Sequence, residues 1–210
     1  MNLYFARHGE SEANIQNVIS NRGWQHPLTL NGRQQAALLA EHLKDAGLAG
    51  IFCSPIQRAV ETAQIVGALL QVPVARADAL REFDCGVMEG RSDDEAWFEI
   101  GHAIRMWFEN DDLDYRIPEG ESFREVRERF GVLVNKLIEV GGDHSYLLVS
   151  HGGTLRLTLP DLFQNLSRDL YQEHFFGFTD YARAEVLDGK LYCTEWCGRR
   201  VDNNPIKNEG

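Results

Sequence analysis

Two short apolar runs in this chain stop at a histidine beside glycine. Leu3-Tyr4-Phe5-Ala6 leads into Arg7-His8-Gly9, and Tyr146-Leu147-Leu148-Val149 leads into Ser150-His151-Gly152-Gly153. Runs of this length, rich in branched and aromatic side chains, read as buried strands. Each histidine then lies at a strand's carboxyl end, where open α/β sheets bind their ligands. An arginine is a permanent bidentate fork for phosphate or carboxylate, and a neutral imidazole is a nucleophile or acid–base group near neutral pH. Side by side they suit an anion that is held and attacked. Arg7-His8 taken alone reads equally well as a surface pair. The case strengthens because the pattern recurs: if the two strands are parallel, His8 and His151 meet at one sheet edge, and Arg58 leaves a further strand from that same edge.

The elements that must bring these residues together follow from periodicity and caps. Thr29 is placed to cap a helix from about Leu30 to Ala46 that Gly47 closes. Gly50–Cys53 reads as a second strand. Ser54-Pro55 reads as N-cap and first turn of a helix to about Leu70 that carries Arg58. Pro73–Ala75 reads as a third strand. Glu82 sits between apolar Leu80 and Phe83 in a turn. Residues 92–116 mix aromatic and acidic side chains and read as one or two helices of a cap, over roughly 90–118; the same aromatics also suit an outer helical layer facing the core. Glu121–Val140 is amphipathic with helical spacing. Tyr181–Leu187 and Lys190–Trp196, joined by Asp188-Gly189, form a hairpin. Strand and helix alternate, which predicts a three-layer α/β/α sandwich with a mainly parallel sheet in one domain, 1–210, with 90–118 as a small helical cap insertion.

Composition narrows the function classes. The 210 residues carry a net charge of −11, which disfavours sequence-independent nucleic-acid binding and anionic membrane surfaces. Hydrophobic residues at 43% and charged residues at 25% are ordinary for a soluble globular domain. No leader-like or membrane-length apolar run is read. The four cysteines are scattered, which suggests reduced thiols and a cytoplasmic protein. No metal cluster is evident. No segment is read as a Cys-x5-Arg phosphate loop or as an Asp-x-Asp strand end, so histidine is the nucleophile that remains. No nucleic acid, membrane, metal or cofactor is expected as a partner; the oligomeric state is open, a dimer included.

The chain resembles the histidine phosphatase superfamily, the phosphoglycerate mutase-like proteins. The resemblance rests on Arg7-His8-Gly9-Glu10-Ser11 with Asn14, Pro27–Gly32 with Gln35-Ala36, and Ser54-Pro55 with Arg58-Ala59 and Glu61-Thr62-Ala63. Leu80 with Glu82, Gly120-Glu121-Ser122 and Ser150-His151-Gly152-Gly153 complete it, in family order from residue 3 to about 156. It implies that His8 becomes a phosphohistidine and that Arg7, Arg58 and His151 surround the phosphoryl group, with Asn14 and Gly152 also in contact. It implies that Glu82 protonates the leaving oxygen and then activates water, a proton that apolar Leu80 and Phe83 would favour. The segment Glu82–Gly90, with a glycine and a later Glu-Gly after the acid, looks like the phosphatase branch, though Met88 stands where that branch often has tryptophan. The expected activity is therefore a metal-independent phosphomonoester hydrolase of the histidine acid type. A phosphoglycerate-type mutase is the alternative, and a non-catalytic phosphoester-binding module is a third class. The acidic residues Asp93, Asp94, Glu95, Asp111, Asp112 and Asp114 are expected to favour a singly phosphorylated substrate.

Overall fold

The structure is a computed structural model, and it describes residues 1–166 and 174–202. The strands are β1 (Asn2–Arg7), β2 (Leu48–Cys53), β3 (Val74–Arg76), β4 (Ser145–Ser150), β5 (Tyr181–Leu187), β6 (Lys190–Trp196) and β7 (Arg199–Arg200). The helices are α1 (Glu12–Gln16), α2 (Leu30–Leu43), α3 (Gln57–Leu70), α4 (Asp94–Phe108), α5 (Phe123–Val140) and α6 (Gly152–Leu162). One sheet runs in the order β3-β2-β4-β1-β5-β6-β7. Its core, β3-β2-β4-β1, is parallel, and β5 to β7 extend it antiparallel.

The central strands are apolar throughout because both sheet faces are covered. Leu3 and Phe5 of β1 pack against Phe130 and Val134 of α5 and Leu155 of α6. Tyr4 and Ala6, one residue out of phase, pack on the other side with Leu39 of α2 and Ala63 of α3. The result is the three-layer α/β/α architecture read from the sequence. A third apolar cluster joins Ala96, Ile100 and Trp107 of α4 to Phe83, Phe123 and Leu157.

Local boundaries depart from the sequence reading in instructive ways. The Thr29 hydroxyl caps α2 by accepting from Gly32 N, but the helix stops at Leu43, and residues 44–46 form a turn before Gly47. Ser54 does not cap α3. Its hydroxyl accepts the Ile56 N–H and pairs with a histidine, and the helix starts at Gln57. The third strand begins at Val74, since Pro73 has no N–H and contributes only its carbonyl, to Ile51. Between 90 and 118 there is one helix, α4, followed by a loop with Asp111 at φ +55°.

The turn after β1 is clamped by α2. A Cβ on Gly32 would stand 1.9 Å from the Glu10 carbonyl oxygen, so only glycine lets the helix start lie against this turn. Gly32→Ala is expected to cost about 1–3 kcal/mol as overpacking, seen as a melting point several degrees lower. Gly131 lies inside α5 with nothing within 4 Å of its would-be Cβ. Gly131→Ala should instead raise stability, by up to about 1 kcal/mol. Thermal melts of the two variants moving in the same direction would contradict this packing.

Candidate active site

Parallel pairing of β1 with β4 aligns Arg7 with Ser150, so the next residues, His8 and His151, emerge together. Their ring centroids are 5.0 Å apart, and both side chains are buried. His8 Nδ1 donates to the carbonyl of Gly9 at 2.6 Å, and Arg58 Nε donates to His8 Nε2 at 2.9 Å. A guanidinium can only donate, so Nε2 carries a lone pair and Nδ1 carries the proton. Burial, then Arg58 and Arg7, hold His8 well below the ordinary histidine value. The imidazole is thus neutral, with Nε2 as its free nucleophilic atom.

The two arginines are anchored from different elements. Arg58, in the first turn of α3, also donates to the Ser20 carbonyl at 2.6 Å, and burial pulls its guanidinium down to about 10. It remains a cation at neutral pH. Thr62, one turn later, donates to the Arg58 carbonyl and accepts from Gly9 N, which locks α3 to the His8 turn. Arg7 Nη1 donates to the Phe176 carbonyl at 2.8 Å, and its guanidinium carbon lies 4.3 Å from the centroid of the Phe178 ring. Gly152 lets α6 approach Arg7, since a Cβ there would meet Arg7 Nε at 3.2 Å. Among the described residues, two buried side-chain nitrogens have no hydrogen-bond partner: Arg7 Nε and His151 Nδ1. Both belong to this cluster, and buried polar groups are ordinarily satisfied, so the pair marks where an anion's oxygens fit.

His151 gains its orientation from Ser54. Ser54 is fully buried, and its hydroxyl accepts from Ile56 N, so the hydroxyl proton has His151 Nε2, at 2.7 Å, as its acceptor. The network then places the His151 proton on Nδ1, the unpartnered atom. Burial and the neighbouring Arg58 also hold this imidazole well below its ordinary value.

Glu82 does not sit in the apolar niche expected for it. Leu80 turns into the cluster under α5. The Glu82 carboxylate lies on the first turn of α6, the positive end of a helix. Oε1 accepts from Phe83 N, Thr154 N and Thr154 Oγ1, while Oε2 accepts from Gly153 N alone, at 3.0 Å. Oε2 is therefore the oxygen with room to carry a proton to a ligand. A Cβ on Gly153 would stand 2.8 Å from Glu82 Oε1, so this seat requires glycine.

Arg7, His8, Asn14, Arg58, Glu82 and Gly152 line one pocket of about 340 Å³, and the His151 ring stands edge-on to His8 with centroids 5.0 Å apart. Asn14 Oδ1 is taken by Ser11, so its amide NH2 is what it can offer the pocket. Ser54, Thr62, Thr154 and Phe178 were not singled out from sequence as site residues. Thr154 had a signal, as the third residue of a helix that starts at the second histidine, and Ser54 and Thr62 lie in the stretch with Arg58 that carries the resemblance; Phe178 had none.

Several expectations are corrected. The acidic residues of 90–118 do not face the ligand: Asp93 pairs with Arg91 and Asp114 with Arg124, whereas α4 gives the pocket Trp97, Ile100 and Ile104. The Cys-x5-Arg spacing does occur, from Cys85 to Arg91 and Cys193 to Arg199. Neither is a phosphate cradle. Burial pushes the Cys85 thiol up, Arg91 is held by Asp93 and Glu95, and burial pushes Cys193 up to about 12.

Comparison with known proteins agrees with this geometry. The family model described as histidine phosphatase superfamily (branch 1) matches residues 3–197. A protein of Proteus mirabilis (strain HI4320), named probable phosphoglycerate mutase GpmB, is 34% identical over 158 residues, 72% of this chain and 70% of its own. Among solved structures, Bacillus stearothermophilus YhfR aligns with a TM-score of 0.79 at 28% identity, over 96% of this chain and 98% of its own. The alpha-ribazole phosphatase from Shigella flexneri aligns with a TM-score of 0.77 at 26% identity, with the same coverage.

Two histidines kept neutral by burial make stability depend on pH. Below the ordinary value of about 6.5, the unfolded chain takes up protons that His8 and His151 refuse in the folded state. Stability is therefore complete above that value and falls as the pH drops through it. His8→Asn should flatten the fall between pH 6.5 and pH 5 by up to about 1.4 kcal/mol per pH unit. Urea melts giving the same slope for both proteins would contradict the buried neutral state.

Proposed function

The chain belongs to the histidine phosphatase superfamily, and from that membership we propose that it is a metal-independent phosphomonoester hydrolase acting through a phosphohistidine on His8. One observation carries the proposal: the Nε2 lone pair of a neutral His8 lies among four fixed donors or cations, Arg7, Arg58, His151 Nδ1 and Asn14, two of which hold unpartnered buried nitrogens.

Phosphoryl transfer needs an in-line nucleophile and charge stabilisation on the equatorial oxygens, with little other covalent work. In the first step Nε2 attacks phosphorus and the bond to the ester oxygen breaks. That oxygen takes a proton from Glu82 Oε2 and leaves as the alcohol. Arg58 must pass its Nε hydrogen bond from His8 to a phosphoryl oxygen as Nε2 attacks. The Nδ1–H bond to Gly9 O stabilises the positive charge that develops on the ring. In the second step a water attacks, Glu82 accepts its proton, the P–N bond breaks, and phosphate leaves. Arg7, Arg58 and His151 supply the preorganised positive field that a metal would otherwise supply.

The mutase alternative, raised by the name of the Proteus mirabilis relative, asks for a bound hydroxyl in place of water and for a second cluster of cations and donors able to hold a phosphoryl dianion. Beyond Arg7 and Arg58, the described lining offers one cation, Arg156, against a largely hydrocarbon wall. Hydrolysis fits that lining better. Four free thiols, three of them buried, suit a reducing compartment, so the proposal is of a cytoplasmic enzyme.

Two experiments test this reading. Rapid alkaline quenching with a phosphate-labelled ester should leave base-stable, acid-labile label on the protein. His8→Ala should abolish the label, Glu82→Gln should prolong it, and EDTA should leave turnover intact. Label that survives His8→Ala, or activity lost in EDTA and restored by a divalent metal, overturns the assignment. Ser54→Ala frees His151 to carry its proton on Nε2. It should lower kcat by about 10²-fold, the cost of one misdirected donor, and shift the His151 ring 15N resonances away from the Nδ1–H pattern. An unchanged tautomer and rate would remove Ser54 from the mechanism.

A further inference from the structure

The pocket has two chemically distinct halves, and the phosphate chemistry uses only one. Away from His8, α4 faces it with Trp97, Ile100 and Ile104, spaced at i, i+3 and i+7 on one helical stripe. The buried stripe beside it, Ala96, Ile100, Ala103 and Trp107, fixes the helix in the third apolar cluster. The Trp97 indole N–H is engaged by the Asn17 carbonyl at 3.2 Å, which leaves its hydrocarbon ring for the pocket. Phe175 also lines the pocket and is 53% exposed. Such a surface gains nothing from a small polyol and gains in proportion to the apolar ligand area it covers.

One cation stands in this half. Arg156 lies on α6 one turn after Gly152, hence roughly 6 Å further along the helix axis. Its guanidinium carbon is 4.0 Å from the centroid of the Phe175 ring, and it makes no ion pair with a carboxylate among the described residues. Most of the protein's other surface arginines are paired with acidic neighbours: Arg22 with Asp84, Arg33 with Glu61, Arg124 with Asp114 and Arg127 with Asp161. Arg76, Arg105, Arg183, Arg199 and Arg200 likewise make no carboxylate pair among the described residues, but of these unpaired arginines outside the phosphate end it is Arg156 that lines the pocket.

We infer that the pocket selects phosphomonoesters whose organic part is an apolar, ring-sized body bearing a second anionic group such as a carboxylate, with the body against α4 and Phe175 and the anion on Arg156. This rests on the phosphomonoesterase reading above and names its substrate class. The pocket volume of about 340 Å³ suits a phosphate with one ring system. The phosphate occupies the His8 end and the ring spans the apolar stretch. The second anion lies beyond the ring, where the arginine fork meets a carboxylate edge-on while Phe175 backs its other face.

Binding of non-hydrolysable phosphonates separates this inference from the catalytic one. Calorimetry would compare 2-hydroxyethylphosphonate, benzylphosphonate and 4-carboxybenzylphosphonate with the wild-type chain and with Ile104→Asn and Arg156→Gln. Benzylphosphonate should bind at least about tenfold more tightly than the hydroxyethyl compound, in the range that pocket hydrocarbon contacts provide. The carboxylate should add about three- to tenfold, as a partly solvated charge-assisted contact. Arg156→Gln should remove the gain from the carboxylate far more than the gain from the ring, and Ile104→Asn the reverse. Ile104 is only partly buried, and a thermal melt of each variant checks its fold. Equal affinities across the three compounds, or a carboxylate gain that survives Arg156→Gln, would overturn the inference. If the binding order holds but the corresponding benzyl phosphates are not turned over, the substrate class stands and the hydrolase reading fails. If they are turned over without the binding order, the hydrolase reading stands and the substrate class fails.

Discussion

Arg7 faces Ser150 across two parallel strands at the centre of the sheet, and almost every contact in the site is a consequence of that register. A slip by one residue would turn Leu3 and Phe5 out of the layer under α5 and α6 and bring Tyr4 and Ala6 into it. Because both faces of β1 and β4 are buried, the slip would misplace core on two sides at once. The register is therefore held by hydrophobic burial distributed over the whole domain, and the two histidines inherit their 5.0 Å separation from it. Catalytic geometry requires tolerances well under an ångström. Strand ends buttressed in this way can supply them, whereas free loops cannot.

On that frame the chain assembles a pocket whose charge opposes the molecule's own. Arg7 and Arg58 are cations, Glu82 is the one carboxylate among them, and His8 and His151 are held neutral by burial. The local surplus is positive inside a protein of net charge −11. An anion is repelled by the outer surface and attracted only in the cleft, where low dielectric walls concentrate the field. The first turn of α6 serves two purposes here. Its Gly153 and Thr154 amides hold Glu82, and its glycine start leaves space for Arg7. The acid and one arm of the clamp are thus positioned by the same helix end, which explains why the motif after β4 pairs a histidine with two glycines.

The parallel core, the hairpin, and the meeting of His8 with His151 and Arg58 were all legible in the sequence. They depend on apolar runs, caps and the β1/β4-type strand ends, which are local or topological signals. What the sequence did not disclose depends on direction. Ser54 looked like a helix cap because serine before proline ordinarily is one, but its oxygen accepts the Ile56 N–H ahead of the helix and its proton goes to a buried histidine. Glu82 looked apolar because its sequence neighbours are apolar, yet Leu80 points away from it and a helix start 70 residues later surrounds it. The acidic run around α4 suggested an acidic pocket wall. Helical periodicity sends those carboxylates to Arg91 and Arg124 on the outside and leaves Trp97, Ile100 and Ile104 within. In each case the composition of the segment was read correctly and the side of the backbone was not.

The division of labour between elements has a consequence for how such a protein can change. The groups at the His8 end of the pocket come from strand ends, the first turn of α3 and the turn that carries Glu82, and each is tied to a neighbour: His8 to Gly9, Arg58 to Ser20, Glu82 to Thr154, His151 to Ser54. Altering any one leaves a buried polar partner unsatisfied, which costs more than the bond itself contributes. The α4 wall has no such coupling. Its pocket side chains are hydrocarbon, its polar edge is a single Trp97 contact to a loop carbonyl, and its fixed stripe is a separate set of residues apart from Ile100. Substitutions at Trp97 or Ile104 alter what the pocket admits while leaving the phosphate machinery satisfied. The two parts of the pocket meet through a backbone route, from Trp97 Nε1 to the Asn17 carbonyl and from Asn17 N to the Asn14 carbonyl, so hydrocarbon side chains on the pocket face of α4 can change without unseating the side-chain partners of His8, Arg58 and Glu82.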